Sequence, residues 1–160
     1  MFGRNGLRRI LWFCLFFLPL ISGCGHYGRI ANTDMEFEDP GEKIPIRIIV
    51  GDTIVDGYLL ENGTAQTFAK MLPLTVDLWP PIEYAQAFDL PERIPDHDKR
   101  TREYEQGAIG YWYEGPSIAL LYGPDGPQTA VPIVKIGYMT SNISVFETYR
   151  DKITVERAEN

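Results

Sequence analysis

Residues 107–123, GAIGYWYEGPSIALLYG, decide the fold. They hold two apolar runs, 108–113 and 118–122, joined by Glu114, Gly115, Pro116 and Ser117. A short Gly/Pro connection between runs rich in aromatic and β-branched residues predicts a β-hairpin. Side chains alternate along a strand, so Ile109, Tyr111 and Tyr113 share one face and Ala108, Gly110 and Trp112 the other. In the second run Ile118, Leu120 and Tyr122 oppose Ala119 and Leu121. Neither face is polar. Such a pair belongs in the middle of a barrel or under a helix, not at a wet edge.

The flanking sequence reads as shorter and more polar structure that closes around this hairpin. Ile44, Ile46, Ile48 and Val50 alternate with Pro45, Arg47 and Ile49. Gly51-Asp52 then gives a Gly-first turn, and residues 53–60 return as a second strand with Gly57 marking a bulge. Asn62 is placed to cap a helix whose Ala65, Phe68, Ala69 and Leu72 form one apolar stripe, which Pro73 ends. Leu74, Val76 and Leu78 alternate in a third strand that stops at Trp79-Pro80-Pro81. Residues 82–90 read as strand and loop with Tyr84 and Phe88 half-buried, and residues 91–106 as a charged loop. After the hairpin come an exposed turn at 124–127 and a strand over 131–138. One or two helical turns follow over 141–149, with Ser144 and Glu147 at capping-box spacing. A last strand holds Ile153 and Val155. Fifteen glycines and twelve prolines, scattered and not repeated, suit many short strands and turns. The expected fold is mainly β, a small antiparallel β-barrel with one or two short helices.

The N-terminus addresses the chain. Residues 1–9 carry three arginines and no acid, and residues 10–20 (ILWFCLFFLPL) carry no charge. With the small residues of Ile21-Ser22-Gly23 this is the tripartite pattern of a secretory signal over residues 1–23. Its apolar run falls short of the ~20 residues that span a bilayer. Residues 20–24, LISGC, resemble the lipobox of bacterial lipoproteins. That resemblance implies cleavage before Cys24 and acylation of its sulfur, palmitate among the chains, each buried methylene adding ~0.8 kcal/mol to attachment. Residues 24–42 then form an acidic flexible tether, and residues 43–158 the domain. The expected location is the cell envelope, facing the periplasm or the exterior, with the outer membrane favoured because Gly25, not Asp, follows the cysteine.

Several function classes drop out. Cys14 leaves with the leader and Cys24 carries lipid, so the mature domain has no thiol for a nucleophile, a thiolate metal site or a disulfide. Loss of Arg4, Arg8 and Arg9 leaves 15 − 3 = 12 basic against 22 acidic residues, a balance of −10. That excess argues against nucleic acid as a partner.

The motifs resemble a family. Leu60-Glu61-Asn62-Gly63-Thr64-Ala65, then Phe68-Ala69 and Met71-Leu72-Pro73-Leu74-Thr75, is similar to a strand–Asn–helix–LPLT motif of small bacterial cyclophilin-like proteins. Gly107-Ala108-Ile109-Gly110-Tyr111-Trp112, Gly115-Pro116 and residues 119–123 resemble their Gly-x-Ile-x-Tyr-Trp and strand segments, and Val134-Lys135-Ile136-Gly137 their Lys/Arg–Ile pair. The resemblance spans residues 43–156. It implies a closed or nearly closed antiparallel barrel with covering helices, and no defined activity.

The candidate binding residues are Tyr111, Trp112, Tyr113 and Tyr122, whose amphipathic rings can line a groove for a peptide or small apolar ligand. Trp112 also suits the filling of the barrel. Asp96-His97-Asp98 reads as a solvated loop before a metal site, since neighbours on a strand diverge and no second histidine lies in the domain. Glu83, Glu103, Glu105 and Glu114 show no fixed spacing for acid–base work. With no nucleophile elbow and no phosphate-cradling loop, no catalytic residue, metal or cofactor is expected. The expected function is a lipid-anchored envelope protein that binds a peptide, protein or small-molecule ligand without turnover. The alternative is a divergent peptidyl-prolyl cis-trans isomerase using Arg47, Arg93 or Arg102.

Overall fold

The computed structural model describes residues 43–95, 97–125 and 128–159. The leader, Cys24, the tether and Asp96 lie outside them. Strands β1 (Ile44–Val50) and β2 (Thr53–Leu59) lead to helix α1 (Gly63–Met71). Then come β3 (Leu74–Asp77), β4 (Trp79–Ile82), β5 (Ala85–Asp89) and β6 (Arg100–Glu103). The central hairpin is β7 (Ala108–Trp112) and β8 (Ser117–Leu121), followed by β9 (Gln128–Met139), a 3-10 turn (Ile143–Glu147) and β10 (Lys152–Arg157). Every pairing is antiparallel, in the order β3-β10-β1-β2-β9-β7-β8-β5-β4, with β6 also on β9. The sheet is mainly-β and roughly barrel-like, but it does not close by a ladder: β3 and β4 are its two ends.

The hairpin is apolar on both faces because both faces pack. Ile109, Tyr111, Ile118 and Leu120 turn inward onto Ile46, Ile48, Val55, Phe88 and the helix residue Phe68. Ala108 and Leu121 turn outward into a smaller cluster with Ala85, Tyr104 and Ile133. A register shift between Ile109 and Gly110 in the β7–β9 ladder accompanies a change of side on β9. Ile133 joins the outer cluster, Val134 and Ile136 the inner one. Helix α1 starts where Asn62 predicts it, the Asn62 Oδ1 accepting from the Ala65 N–H at 2.9 Å, and buries Ala65, Phe68 and Ala69.

Five local expectations need correction. Gly57 is not bulged; it pairs in continuous register with Ile46, and its missing side chain matters because a Cβ would lie 2.6 Å from the Tyr138 carbonyl oxygen. Trp79-Pro80-Pro81 does not end a strand but opens β4, where edge position tolerates prolines that cannot donate to a ladder. Residues 100–103 form β6 despite their charge, since an edge strand keeps solvent on one side. Phe88 is fully buried, not half-buried. The 3-10 turn lacks a capping box: its first residue follows Asn142 at φ 51°, with no side-chain cap.

The charged loop is fastened to the helix by Asp98, whose Oδ2 accepts from the Thr64 N–H at 2.7 Å and the Thr64 hydroxyl at 2.6 Å. The Thr64 hydrogen bonds outweigh partial burial and hold the Asp98 carboxyl below its usual value. A depressed carboxyl stabilises the fold above its unfolded pKa of about 4, and that contribution drains as pH falls through the lowered folded value. Asp98→Asn is therefore expected to cost about 1 kcal/mol at neutral pH. In urea unfolding the gap from wild type should narrow from about pH 5 downward. A gap constant with pH would show that the charge plays no part.

Candidate functional site

The outer face of the central strands holds a groove of about 270 Å³. Its floor follows from register. Ala87 on β5, Ala119 on β8 and Gly110 on β7 stand opposite one another, a row of the smallest side chains across three strands. Larger residues bound that row on all sides. Trp79 pairs with Ala87 at one end, and the Ile133 side chain lies over Gly110 at the other, 2.4 Å from where a Cβ would stand. Trp112 and Ser117, themselves a cross-strand pair, form one side; Ala85, Leu121 and Ile82 form the other.

Both indoles are positioned by the protein. The Trp79 Nε1–H donates to Asp89 Oδ1 at 3.2 Å. Trp112 lies against Gly115 in the hairpin turn, where a Cβ would stand 2.1 Å from its Cε3. No charged residue lines the groove among the described residues. The Ser117 hydroxyl has no partner among the described residues, although the residue is 4% exposed. The site can bury one neutral apolar group and offers it one hydrogen-bonding hydroxyl. It holds nothing that moves a proton at neutral pH.

The four aromatic residues singled out in the sequence do not converge. Trp112 is in the groove. Tyr111 points inward, fully buried, its hydroxyl donating to the Ile94 carbonyl at 3.0 Å and accepting the Ile94 N–H at 3.2 Å. Tyr113 sits half-buried beside the Arg93 and Arg100 guanidinium groups, 4.8 and 5.3 Å from its ring centroid. Tyr122 belongs to a second, larger cleft of about 920 Å³ beyond Ile82, and its hydroxyl donates to the Glu83 carbonyl at 2.6 Å. Trp79, Ala85, Ala87 and Ala119 were missed. For the three alanines the signal was present as small residues at outward positions of strands inside the sheet, where polar ones would face water.

Most of the remaining candidates are engaged elsewhere, the Glu83 and Glu103 carboxylates excepted among the described residues. Arg47 pairs with Glu156 at 3.0 Å, Arg93 donates to the Glu114 carbonyl, and Arg102 donates to the carbonyls of Thr129 and Ala130. The Glu105 carboxylate accepts from Lys135 and Tyr138 and is held below its usual range, chiefly by the lysine. Glu114 is likewise lowered by Arg100. Asp98 is committed to Thr64, and no group of three metal-ligating side chains forms among the described residues.

A sheet of this order, capped by one helix and hollowed on its outer face, places the chain among known folds. It belongs to the cyclophilin-like family, whose model matches residues 48–157. The solution structure of a hypothetical protein from Archaeoglobus fulgidus is similar, with a TM-score of 0.60 and 21% identity over 72% of this chain and 95% of that one. McbB, solved in complex with tryptophan, is similar at a TM-score of 0.55 and 12% identity, over 72% of this chain but only 45% of McbB. No curated protein matches the chain by sequence.

Proposed function

We propose that this is a lipid-anchored protein of the bacterial cell envelope whose cyclophilin-like domain binds, without turnover, a peptide or small molecule by one neutral apolar group. The observation that carries the reading is the outer groove, floored by Ala87 and Ala119 and walled by two indoles. The leader and the Leu20-Ile21-Ser22-Gly23-Cys24 motif support the anchor, and Gly25 supports the outer membrane as its location. The isomerase alternative draws no support from Arg47, Arg93 or Arg102, each tied to other groups.

Magnitudes set the kind of binding. One fully buried aliphatic or aromatic side chain gains about 1.5–3 kcal/mol, and immobilisation takes part of that back. A ligand that fills only this groove binds weakly, no tighter than ~10 mM, and contacts beyond the groove must supply any stronger affinity. The domain supplies its own reporter, because its only tryptophans besides Trp12 of the leader are Trp79 and Trp112. Full-length protein extracted from membranes in mild detergent should show a saturable change in tryptophan emission with Ac-Gly-Leu-Gly-NH2, and none with Ac-Gly-Asp-Gly-NH2. Equal responses to the two peptides, or none to either, would sink the groove reading. In the same preparations Cys24→Ser should abolish acyl labelling and leave the protein out of the membrane fraction. Unchanged labelling would remove the anchor.

A further inference from the structure

Hydrogen-bonding capacity separates the ligands that the outer groove can take. Its polar lining side chains are Trp79, Trp112, Ser117 and Thr129. Three of the four are committed to the protein itself. The Trp79 indole N–H donates to Asp89 Oδ1 at 3.2 Å. The Glu114 carboxyl is held below its usual range by Arg100 and, more weakly, by the Trp112 indole N–H. The Thr129 hydroxyl lies between the carbonyls of Val131 and Arg102, at 2.7 and 3.2 Å. Ser117 is different. It is 4% exposed, lines the groove, and its hydroxyl has no partner among the described residues. A hydroxyl so placed is ordinarily satisfied by water or by a ligand.

Register fixes where that hydroxyl stands. Outward residues of β8 run Ser117, Ala119 and Leu121, and each such step covers about 7 Å. Ala119 sits opposite Ala87, so these two lay one apolar step of floor that ends at Ser117. Ser117 in turn pairs with Trp112, which closes that side. The matching ligand group is therefore an apolar body about one step long with a neutral oxygen at its tip. We infer that the groove selects a neutral phenol, whose ring lies on Ala87 and Ala119 and whose oxygen meets Ser117 Oγ. This rests on the groove reading and names the ligand's polar determinant.

Other side chains match less of the site. Leucine and phenylalanine cover the floor but bring nothing to the hydroxyl. Covering Ser117 with hydrocarbon strips its water and leaves a buried donor and acceptor unpaired, a cost the phenol avoids. A site that hydrogen-bonds a ligand hydroxyl rejects the analogue lacking it more sharply than an apolar wall rejects a missing methylene. Serine and threonine carry their oxygen beside their own backbone and leave the floor uncovered. Carboxylates and ammonium groups find no counter-charge, since no charged residue lines the groove among the described residues. A ring gains further from Trp79 and Trp112, because contact between aromatic groups adds to simple burial.

The test titrates full-length protein in mild detergent with Ac-Gly-Tyr-Gly-NH2 and Ac-Gly-Phe-Gly-NH2. Binding is read from the NMR shifts of the Trp79 and Trp112 indole N–H groups. The tyrosine peptide should bind about fivefold to tenfold tighter. That preference should vanish in Ser117→Ala, which removes no hydrogen bond between described residues and so leaves the fold intact. 4-Methylphenol against toluene repeats the comparison without a backbone. Equal affinity of 4-methylphenol and the tyrosine peptide assigns the phenol to a small molecule, and tighter binding of the peptide assigns it to a polypeptide; both sustain the inference. Equal affinities of the two peptides, a preference for phenylalanine, or a tyrosine preference that survives Ser117→Ala would overturn it while leaving the groove reading standing. If neither peptide shifts either indole, the phenol and the groove reading fall together.

Discussion

Ala119→Phe is expected to weaken binding of apolar peptides about 10- to 100-fold while leaving the melting temperature within a few degrees of wild type. Ala119 is the middle of the small-residue row, opposite Ala87 on one side and Gly110 on the other. It faces outward and is partly exposed, so an added ring displaces no core residue. The ring would occupy the space a ligand needs and lie against the two indoles. Tryptophan emission of the free variant should therefore resemble that of ligand-saturated wild type. A variant that still binds with wild-type affinity would place the ligand elsewhere on the domain.

Tyr111→Phe should be the most costly conservative substitution outside the groove. The change keeps the ring but strips both hydrogen bonds from Ile94, which is 2% exposed. A buried N–H and a buried carbonyl are then left without partners, at about 1–3 kcal/mol each. The total of about 2–6 kcal/mol corresponds to a fall in Tm of roughly 8–25 °C for a domain of this size. A loss under about 2 °C would mean that water enters and replaces the hydroxyl. Binding in the groove should survive at temperatures where the variant is folded, because Tyr111 does not line it.

The legible part of this chain was its hydrophobic pattern. Residues 107–123 announced a hairpin with two apolar faces, and β7 and β8 do lie inside the sheet with a neighbour on each side. Asn62 and Pro73 bracket the helix because capping and the loss of an N–H act locally. What escaped depends on partners remote in sequence. Arg100 and Thr101 look like a loop until Val134 and Ile133 are brought alongside them. Trp79-Pro80-Pro81 looks like a stop until the strand proves to be an edge.

The site was harder to read for the same reason. Aromatic richness marked Tyr111, Trp112, Tyr113 and Tyr122, but alternation and the turn send them to four different surroundings. A cavity is made by what is small, and no single alanine advertises itself. Only the register that sets Ala87 and Ala119 side by side, with Ile133 packed over Gly110 beyond them, turns unremarkable residues into a floor.

The two ends of the sheet, β3 and β4, are consecutive in the chain, with Leu78 alone between them. A fully laddered barrel must find its final pairing by bringing distant segments into alignment. Here a covalent stitch stands in for that last row, so the circle is completed by connectivity. One scission of the backbone at this point would open the circle while β10 still holds β3 and β5 still holds β4.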